Sequence, residues 1–182
     1  IKKIHISDSV SSISDDAFYA NSMLESVIVS KDNPHYTSED GVLFDENLES
    51  LLYFPYAKRI SFYSIPKNVT RIRDRAFYSR KGIDYVVIPE GVTTIERDTF
   101  SYSSLREIVI PSSVTKIERY AFETSTLTNV FFTGDAPDCQ TRAFYRAYNG
   151  TTLATGYIFD SAVGFGTPIW NYAYPYSLPI ES

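Results

Sequence analysis

Apolar side chains recur at fixed offsets along most of this chain, so one short pattern can be read several times. The clearest copy runs from residue 105 to residue 122, and its first, fourth and sixth positions are Leu105, Ile108 and Ile110. Alternating apolar and polar positions predict a short strand with these three side chains pointing inward. Pro111 ends the strand, because proline cannot donate a hydrogen bond to a neighbouring strand. A second short extended stretch follows, and an Ala-Phe pair closes the unit.

The pattern returns with a regular period. An Ala-Phe or Thr-Phe pair ends at Phe18, Phe77, Phe100, Phe122 and Phe144, and the last four of these lie 22 or 23 residues apart. A unit this short has no core of its own, whereas stacked units bury one continuous core in which each coil contacts only its neighbours. The sequence therefore predicts a solenoid.

Further copies of the unit stand at Ile1–Phe18, Ile60–Phe77, Ile83–Phe100 and Leu127–Phe144. Their period and their Leu-x-x-Ile-x-Ile strands fit the leucine-rich repeat. On these residues the chain resembles the BspA-like leucine-rich repeats, which occur in many bacterial surface proteins. The resemblance implies a β-rich leucine-rich-repeat solenoid with short 3₁₀ or helical turns. It also implies a right-handed superhelix with a parallel sheet on the concave side.

One position departs from the family pattern. The family often has cysteine three places after the phenylalanine, whereas this chain has Asn21, Arg80, Ser103, Ser125 and Ala147 there. Small or polar residues can fill such a position, so the departure leaves the expected fold unchanged.

A β-hairpin is predicted to interrupt the repeats at about residues 33–55. Gly41–Phe44 and Leu51–Phe54 read as two short strands, and the polar segment 45–50 reads as the loop that joins them. The resemblance supports this interpretation, because the family inserts such a hairpin between repeats. Whether it packs on the solenoid or extends away from it stays open at this point.

The chain changes character after Phe144. Solenoids need a cap over the last open coil, and the Gly-x-x-x-Trp sequence from Gly166 to Trp170 looks like the family's usual terminal stretch. We therefore expect a single domain over residues 1–182, with repeats in 1–144 and a C-terminal cap and tail in 145–182.

The first strand of each coil should present alternate side chains to solvent, and several of these side chains are apolar. An exposed apolar patch suggests a contact site, and concave solenoid faces are common binding surfaces. Strand propensity alone also favours valine, isoleucine and phenylalanine on either face. The candidate binding residues on this face are His5, Ile28, Phe62, Ser64, Tyr85, Val87, Arg106, Val109, Asn129 and Phe131.

No constellation of residues for catalysis stands out. His5 and His35 lack the paired spacing of a zinc site, and Cys139 has no histidine near it in sequence to act as a base. Acidic pairs such as Glu39-Asp40 fall on turns, where solvated side chains explain them. A calcium site at Asp32, Asn33, Glu39 and Asp40 is a weak alternative, since the spacing differs from an EF-hand loop. We expect no cofactor, no metal and no enzymatic activity.

Composition narrows the class of partner. The chain has 182 residues, 43% of them hydrophobic, and a formal net charge of −5, which argues against nucleic acid. Its one cysteine excludes an intrachain disulfide, and no apolar run is long enough to span a membrane. Ile1–Ile6 alternates like a strand rather than a signal peptide. We expect a trimmed or mature piece of a larger secreted or cell-surface protein.

Two functions remain open from the sequence. The resemblance implies a binding or adhesion module, whose ligand is a protein or a glycan bound on the concave face. Stacking on tyrosine or tryptophan would favour a glycan, whereas apolar columns such as Val87, Val109 and Phe131 would favour a protein. The alternative is a rigid spacer that projects another domain from the cell and has no ligand of its own.

Overall fold

The chain forms a β-solenoid of about seven turns with parallel sheets, as the repeats predict. The computed structural model describes residues 1–14, 16–18, 21–147, 154–158 and 161–165, and the backbone alone at 169–170 and 178–181. Most of the C-terminal tail, including Gly166 and residues 171–177, lies outside the described residues. The strands, in chain order, are β1 Lys3–Ile6, β2 Ser26–Val29, β3 Tyr36–Glu39, β4 Val42–Asp45, β5 Ser50–Tyr53, β6 Phe62–Ser64, β7 Arg71–Ile72, β8 Tyr85–Val87, β9 Thr94–Ile95, β10 Glu107–Ile110, β11 Lys116–Ile117, β12 Asn129–Phe132, β13 Asp138–Cys139, β14 Thr155–Tyr157, β15 Ile169–Trp170 and β16 Leu178–Glu181.

Two sheets run along the solenoid, one for each extended stretch of the unit. In the first sheet β6, β8, β10, β12 and β14 lie side by side and parallel, with β16 and then β15 at the far edge. In the second sheet β5, β7, β9, β11 and β13 lie side by side and parallel. Equal repeat lengths place equivalent residues of successive coils directly opposite one another, as with Val87, Val109 and Phe131.

Phenylalanine side chains from successive coils form a continuous ladder through the core. Phe54, Phe77, Phe100, Phe122 and Phe144 stack in this order, and neighbouring ring centroids lie between 4.9 and 5.3 Å apart. This spacing is close to the roughly 4.8 Å that separates hydrogen-bonded strands, so each ring lies at the level of its own coil along the solenoid axis. The inward Leu105, Ile108 and Ile110 are also buried, as the alternation predicts.

The first two coils have a separate core. Ile6, Leu24, Val27, Leu43 and Tyr53 form a second buried cluster. Phe18 is half-buried and stacks on Tyr53, with the ring centroids 4.7 Å apart. Its place at the start of the ladder is taken by Phe54, which comes from the inserted segment. Equivalent sequence offsets therefore lead to different packing at the first copy.

The third side of each coil is built from turns. The resemblance implies short 3₁₀ or helical turns there, whereas the described residues contain no helix. Arg75, Asp98, Tyr120 and Arg142 occupy equivalent positions and all have positive φ, between 56 and 65°. Such a conformation costs about 1–2 kcal/mol per non-glycine residue. In a helix the backbone N–H groups bond within the segment. Here the amides of Phe77, Phe100 and Phe122 donate to carbonyls of the next coil, at 2.9, 2.7 and 2.8 Å. The free energy of these inter-coil hydrogen bonds offsets the conformational cost of the positive φ angles.

The inserted segment packs on the solenoid and contains three strands. β4 pairs antiparallel with both β3 and β5, while β5 pairs parallel with β7 of the next coil. The predicted strands at 41–44 and 51–54 lie within one residue of β4 and β5; β3 was missed. Its signal is the Asp40-Gly41 pair between two strands, and positive φ angles of 49 and 77° at these residues fit a type I′ hairpin turn.

The insertion lies between the two cores. Val42 and Phe44 face the main core, whereas Leu43, between them on β4, belongs to the N-terminal cluster. At the hairpin turn, the amide of Val27 donates to the Gly41 carbonyl at 2.9 Å, and Lys58 Nζ donates to the Asp40 carbonyl at 2.6 Å. The turn therefore touches β2 on one side and the segment leading to β6 on the other.

We expect Phe100→Ala to lower the free energy of unfolding by about 3–5 kcal/mol, because the substitution removes a ring stacked on both faces and leaves a cavity. Urea titration followed by circular dichroism measures the loss. The matched control is Phe62→Ala, a solvent-facing phenylalanine on the first sheet that is 58% exposed; its effect should stay within about 0.5–1 kcal/mol. Equal losses in the two variants would contradict the ladder as a source of stability.

Gly41 and Gly82 offer a matched pair, since their φ angles are 77 and 79°. A Cβ at Gly41 would lie 2.5 Å from Ser26 Oγ, whereas a Cβ at Gly82 would lie 3.4 Å from Arg59 Cγ. Both alanine substitutions carry the φ penalty of about 1–2 kcal/mol, and Gly41→Ala adds an overpacking cost of about 1–3 kcal/mol. Thermal unfolding of both variants should show the larger loss for Gly41→Ala, and the reverse order would refute the tight contact between the hairpin turn and β2.

Candidate functional site

A row of side chains points outward from the first sheet. Ser64, Val87, Val109, Phe131 and Tyr157 stand opposite one another in the strand register. Val87 and Val109 are each 37% exposed, while their strand neighbours Val86 and Ile108 are buried. We call Val87, Val109, Phe131 and Tyr157 the apolar row. Its four members come from four successive coils, so their spacing is set by the sheet.

A second outward row lies two residues earlier on the same strands. Phe62 is 58% exposed and Tyr85 is 43% exposed, and the register continues from them to Glu107 and Asn129. Asn129 Nδ2 donates to Glu107 Oε1 at 2.9 Å, so this row changes from aromatic to polar along the solenoid. Arg106 is exposed just before β10. The face thus combines an apolar strip with a hydrogen-bonding margin.

The orientation of the two aromatic rings in the apolar row limits what can contact them. The Phe131 and Tyr157 rings stack with centroids 5.0 Å apart and an interplanar angle of 18°. Each ring therefore covers one face of the other, and Phe131 is half-buried. Sugar rings stack on open aromatic faces, whereas apolar side chains of a protein can pack on exposed edges and on valines. The arrangement favours contacts of the second kind.

His5 and Ile28 are opposite each other, on a different sheet from the rest of the candidate residues. They belong to β1 and β2, which form a separate two-stranded sheet. The turn of the inserted hairpin separates this sheet from β6. Burial is the main cause of the raised pKa of Tyr63 on β6, and the nearby carboxylates of Glu39 and Asp40 at the hairpin turn raise this pKa further. The sequence analysis grouped His5 and Ile28 on one face with Ser64, Val87 and Val109, and the insertion divides that face into two sheets.

Tyr157 is the residue of this face that the sequence analysis missed. It lies on β14, within the region interpreted as a C-terminal cap, and β14 pairs in register with β12. The signal was weak because the spacing from Phe131 to Tyr157 is longer than the repeat period, and because residues 149–152, shortly before β14, are polar or glycine. A strand-like Thr-Gly-Tyr sequence alone does not indicate a further coil.

Of the residues considered for chemistry, Asn33 has a clear structural role. Asn33 is buried; its side-chain nitrogen donates to the carbonyls of Ser7 and Val10, and its side-chain oxygen accepts from the amides of His35 and Tyr36. Both ends of this amide are therefore used in holding the insertion to the first coil. Cys139 is half-buried on β13.

Within the described part of the chain, no group of three or more histidine, cysteine, aspartate or glutamate side chains could hold a metal ion. The residues proposed for calcium, Asp32, Asn33, Glu39 and Asp40, are not brought together as such a group. None of the described segments is a helix with the length and hydropathy needed to cross a membrane.

Comparisons with known proteins agree with this architecture. A family model described as the BspA type leucine-rich repeat region matches residues 1–64 and 52–161, in 6 copies. No curated protein matches the sequence.

Three solved structures share the fold. A leucine-rich repeat protein from Eubacterium ventriosum is 25% identical, with a TM-score of 0.68 over 86% of this chain and 48% of its own. The pneumococcal vaccine antigen PcpA is 19% identical, with a TM-score of 0.64 over 87% of this chain and 45% of its own. A leucine-rich cell surface protein from Faecalibacterium prausnitzii is 21% identical, with a TM-score of 0.64 over 88% of this chain and 48% of its own.

The chain thus spans about half the length of each of these three proteins. The family match covers most of the sequence. The chain belongs to the BspA-type leucine-rich repeat family.

Proposed function

We propose that this chain is a non-catalytic binding module of a bacterial cell-surface or secreted protein, and that it recognises a protein ligand through the exposed face of the first sheet. The observation that carries the proposal is the apolar row, in which Val87, Val109, Phe131 and Tyr157 are aligned in strand register on a surface facing solvent. Contiguous exposed apolar residues on a folded domain mark contact sites.

The rigidity of the surface supports this role. The strands that carry the apolar row, β8, β10, β12 and β14, each pair with a neighbour on both sides. Their inward side chains, such as Val86, Ile108 and Val130, belong to the main core. A preformed surface loses little conformational freedom when a partner binds, so more of the contact free energy appears as affinity. The polar second row, with Glu107, Asn129 and the nearby Arg106, supplies hydrogen-bonding groups at the margin of the apolar strip, as interface rims do.

The cell-surface assignment follows the relatives. Two of the three similar structures are a vaccine antigen and a cell surface protein, and the repeat family is typically non-catalytic. Adhesion to host or bacterial surface proteins is the activity that suits such a module. A protein ligand is preferred to a glycan because the apolar row consists of two valines and of two rings that each cover one face of the other.

We expect a screen against extracellular-matrix proteins, bacterial surface proteins and a glycan panel to yield a protein ligand. A variant with Val87, Val109 and Phe131 changed to Asp should bind that ligand at least about tenfold more weakly, which corresponds to about 1.4 kcal/mol, because the substitutions place charges where apolar contacts form. Biolayer interferometry measures the dissociation constants, after circular dichroism has shown that the variant is folded.

A matched control changes Thr70, Thr93 and Thr115 to Asp. These exposed residues also occupy equivalent positions on three coils, next to the second sheet, so the control has the same added charge on a different face. Equal weakening by both variants would point to net charge rather than to the apolar row. Undiminished binding by the first variant would exclude the exposed face of the first sheet as the binding site. A screen that yields only a glycan ligand would contradict the proposal of a protein ligand.

A further inference from the structure

An open groove of about 640 Å³ lies between the segments that lead into β1 and β2 and the segment that leads into β6. On this side of the solenoid β1 pairs with β2, and β6 pairs with β8, but β2 and β6 belong to different sheets. The backbone still joins the two coils, because the amide of Ala57 donates to the Leu24 carbonyl at 2.7 Å. The groove is therefore a gap in the stack of strands between two coils that are held together.

Basic side chains predominate around the groove. Lys2, Lys58 and Arg59 line it together with one carboxylate, that of Glu25. Lys2 Nζ lies 2.9 Å from Glu25 Oε1. The hydrogen bond from Lys2 is the main cause of the lowered pKa of Glu25, and the charge of nearby Lys3 lowers this pKa further. Two lysines thus share one carboxylate on this side of the groove.

The bases on the other side of the groove can still donate hydrogen bonds. Lys58 Nζ donates to the carbonyl of Asp40 at 2.6 Å, which uses one of its three hydrogens. Arg59 is exposed, and among the residues that the structure describes none forms an ion pair with it. With Asp40 counted beside Glu25, four bases face two acids here, on a protein whose formal net charge is −5.

Apolar side chains line the same groove. Met23 is 58% exposed, and Ile60 is half-buried with part of its surface packed on the main core. Methionine is flexible and polarisable, so it adapts to apolar partners of different shape. Two residues after Ile60 comes Phe62, the exposed aromatic residue of the second outward row. The groove is therefore continuous along the chain with the exposed face of the first sheet.

We infer that this groove binds an acidic segment of a protein ligand that also carries an apolar side chain. The carboxylates of the segment contact Lys58 and Arg59 through charge-assisted hydrogen bonds. Its apolar side chain packs on Met23 and Ile60. The inference rests on the proposed function, since the segment is taken to belong to the protein that the exposed face of the first sheet binds. It adds the charge of that partner and a second contact area.

The apolar contacts distinguish an acidic peptide from other anions. A phosphate polymer gains the ionic contacts but has no side chain to place on Met23 and Ile60. A neutral apolar peptide gains contacts with these two residues and leaves the surplus of basic groups without a counterpart. A segment that combines glutamate or aspartate with an apolar residue uses both features of the groove.

The test titrates a capped five-residue peptide, with leucine between two pairs of glutamates, into the whole chain. Backbone amide shifts in nuclear magnetic resonance spectra follow the binding. We expect a dissociation constant in the millimolar range or below, with the largest shifts at residues 23–25 and 57–60, and weaker binding in added salt. The same peptide with serine in place of leucine, and inorganic tripolyphosphate, should each bind at least about threefold more weakly, because neither buries an apolar side chain.

Charge variants test the basic residues. Arg59→Gln should weaken binding of the leucine peptide about two- to fivefold, as expected for an exposed ion pair, and it leaves the hydrogen bond from Lys58 to Asp40 in place. The double variant Lys58→Gln/Arg59→Gln should show a larger loss, of about tenfold. The matched control is Lys31→Gln/Lys67→Gln, which removes the same charge from two exposed lysines outside the groove and should leave binding unchanged.

The outcomes separate this inference from the proposed function. No binding of the leucine peptide, shifts that fall outside the groove, equal affinity for tripolyphosphate or for the serine peptide, or an equal loss in the control variant would each overturn the groove as an acidic-peptide site. If the screen still yields a protein ligand that depends on the apolar row, the proposed function stands without the groove. Peptide binding in the groove with no protein ligand in the screen would instead contradict the proposed function.

Discussion

The distance between hydrogen-bonded strands sets the spacing of successive coils in this solenoid. Parallel strands lie about 4.8 Å apart, and every layer of each coil must advance by the same step. The phenylalanine ladder satisfies this condition, since its ring centroids lie between 4.9 and 5.3 Å apart. The turns on the third side satisfy it through positive φ angles that direct backbone amides to the next coil. Because an α-helix with its side chains is about 10–12 Å across, helices on that side would space the coils more widely there than the strands do.

The same step arranges the surface. Because equivalent residues of successive coils lie opposite one another, any apolar residue that recurs at an outward offset forms a row, as Val87, Val109 and Phe131 do. The rings of Phe131 and Tyr157 also stack along the axis for this reason. In-register stacking makes each of these two rings cover a face of the other, and this orientation is one reason for proposing a protein ligand rather than a glycan.

The inserted segment is where the regular step is interrupted. Its β4 strand faces both cores, and its turn lies between β2 and the segment leading to β6. This position divides the outward column, with His5 and Ile28 on one side. A pocket lined by Tyr53, Tyr56 and Arg80 lies beside this segment.

The amino-acid sequence by itself determined the solenoid, the inward positions such as Ile108 and Ile110, the ladder from Phe77 to Phe144 and the outward row through Val87 and Val109. All of these depend on local periodicity, because each coil contacts only its neighbours. The tertiary structure decided the features that depend on which coil lies next to which. These are the replacement of Phe18 by Phe54 in the ladder, the inclusion of Tyr157 in the row, and the grouping of Phe18, Tyr53 and Arg80 around one cavity. Their sequence separations do not follow the repeat, so only the packing of the insertion and the last strands against the solenoid brings them together.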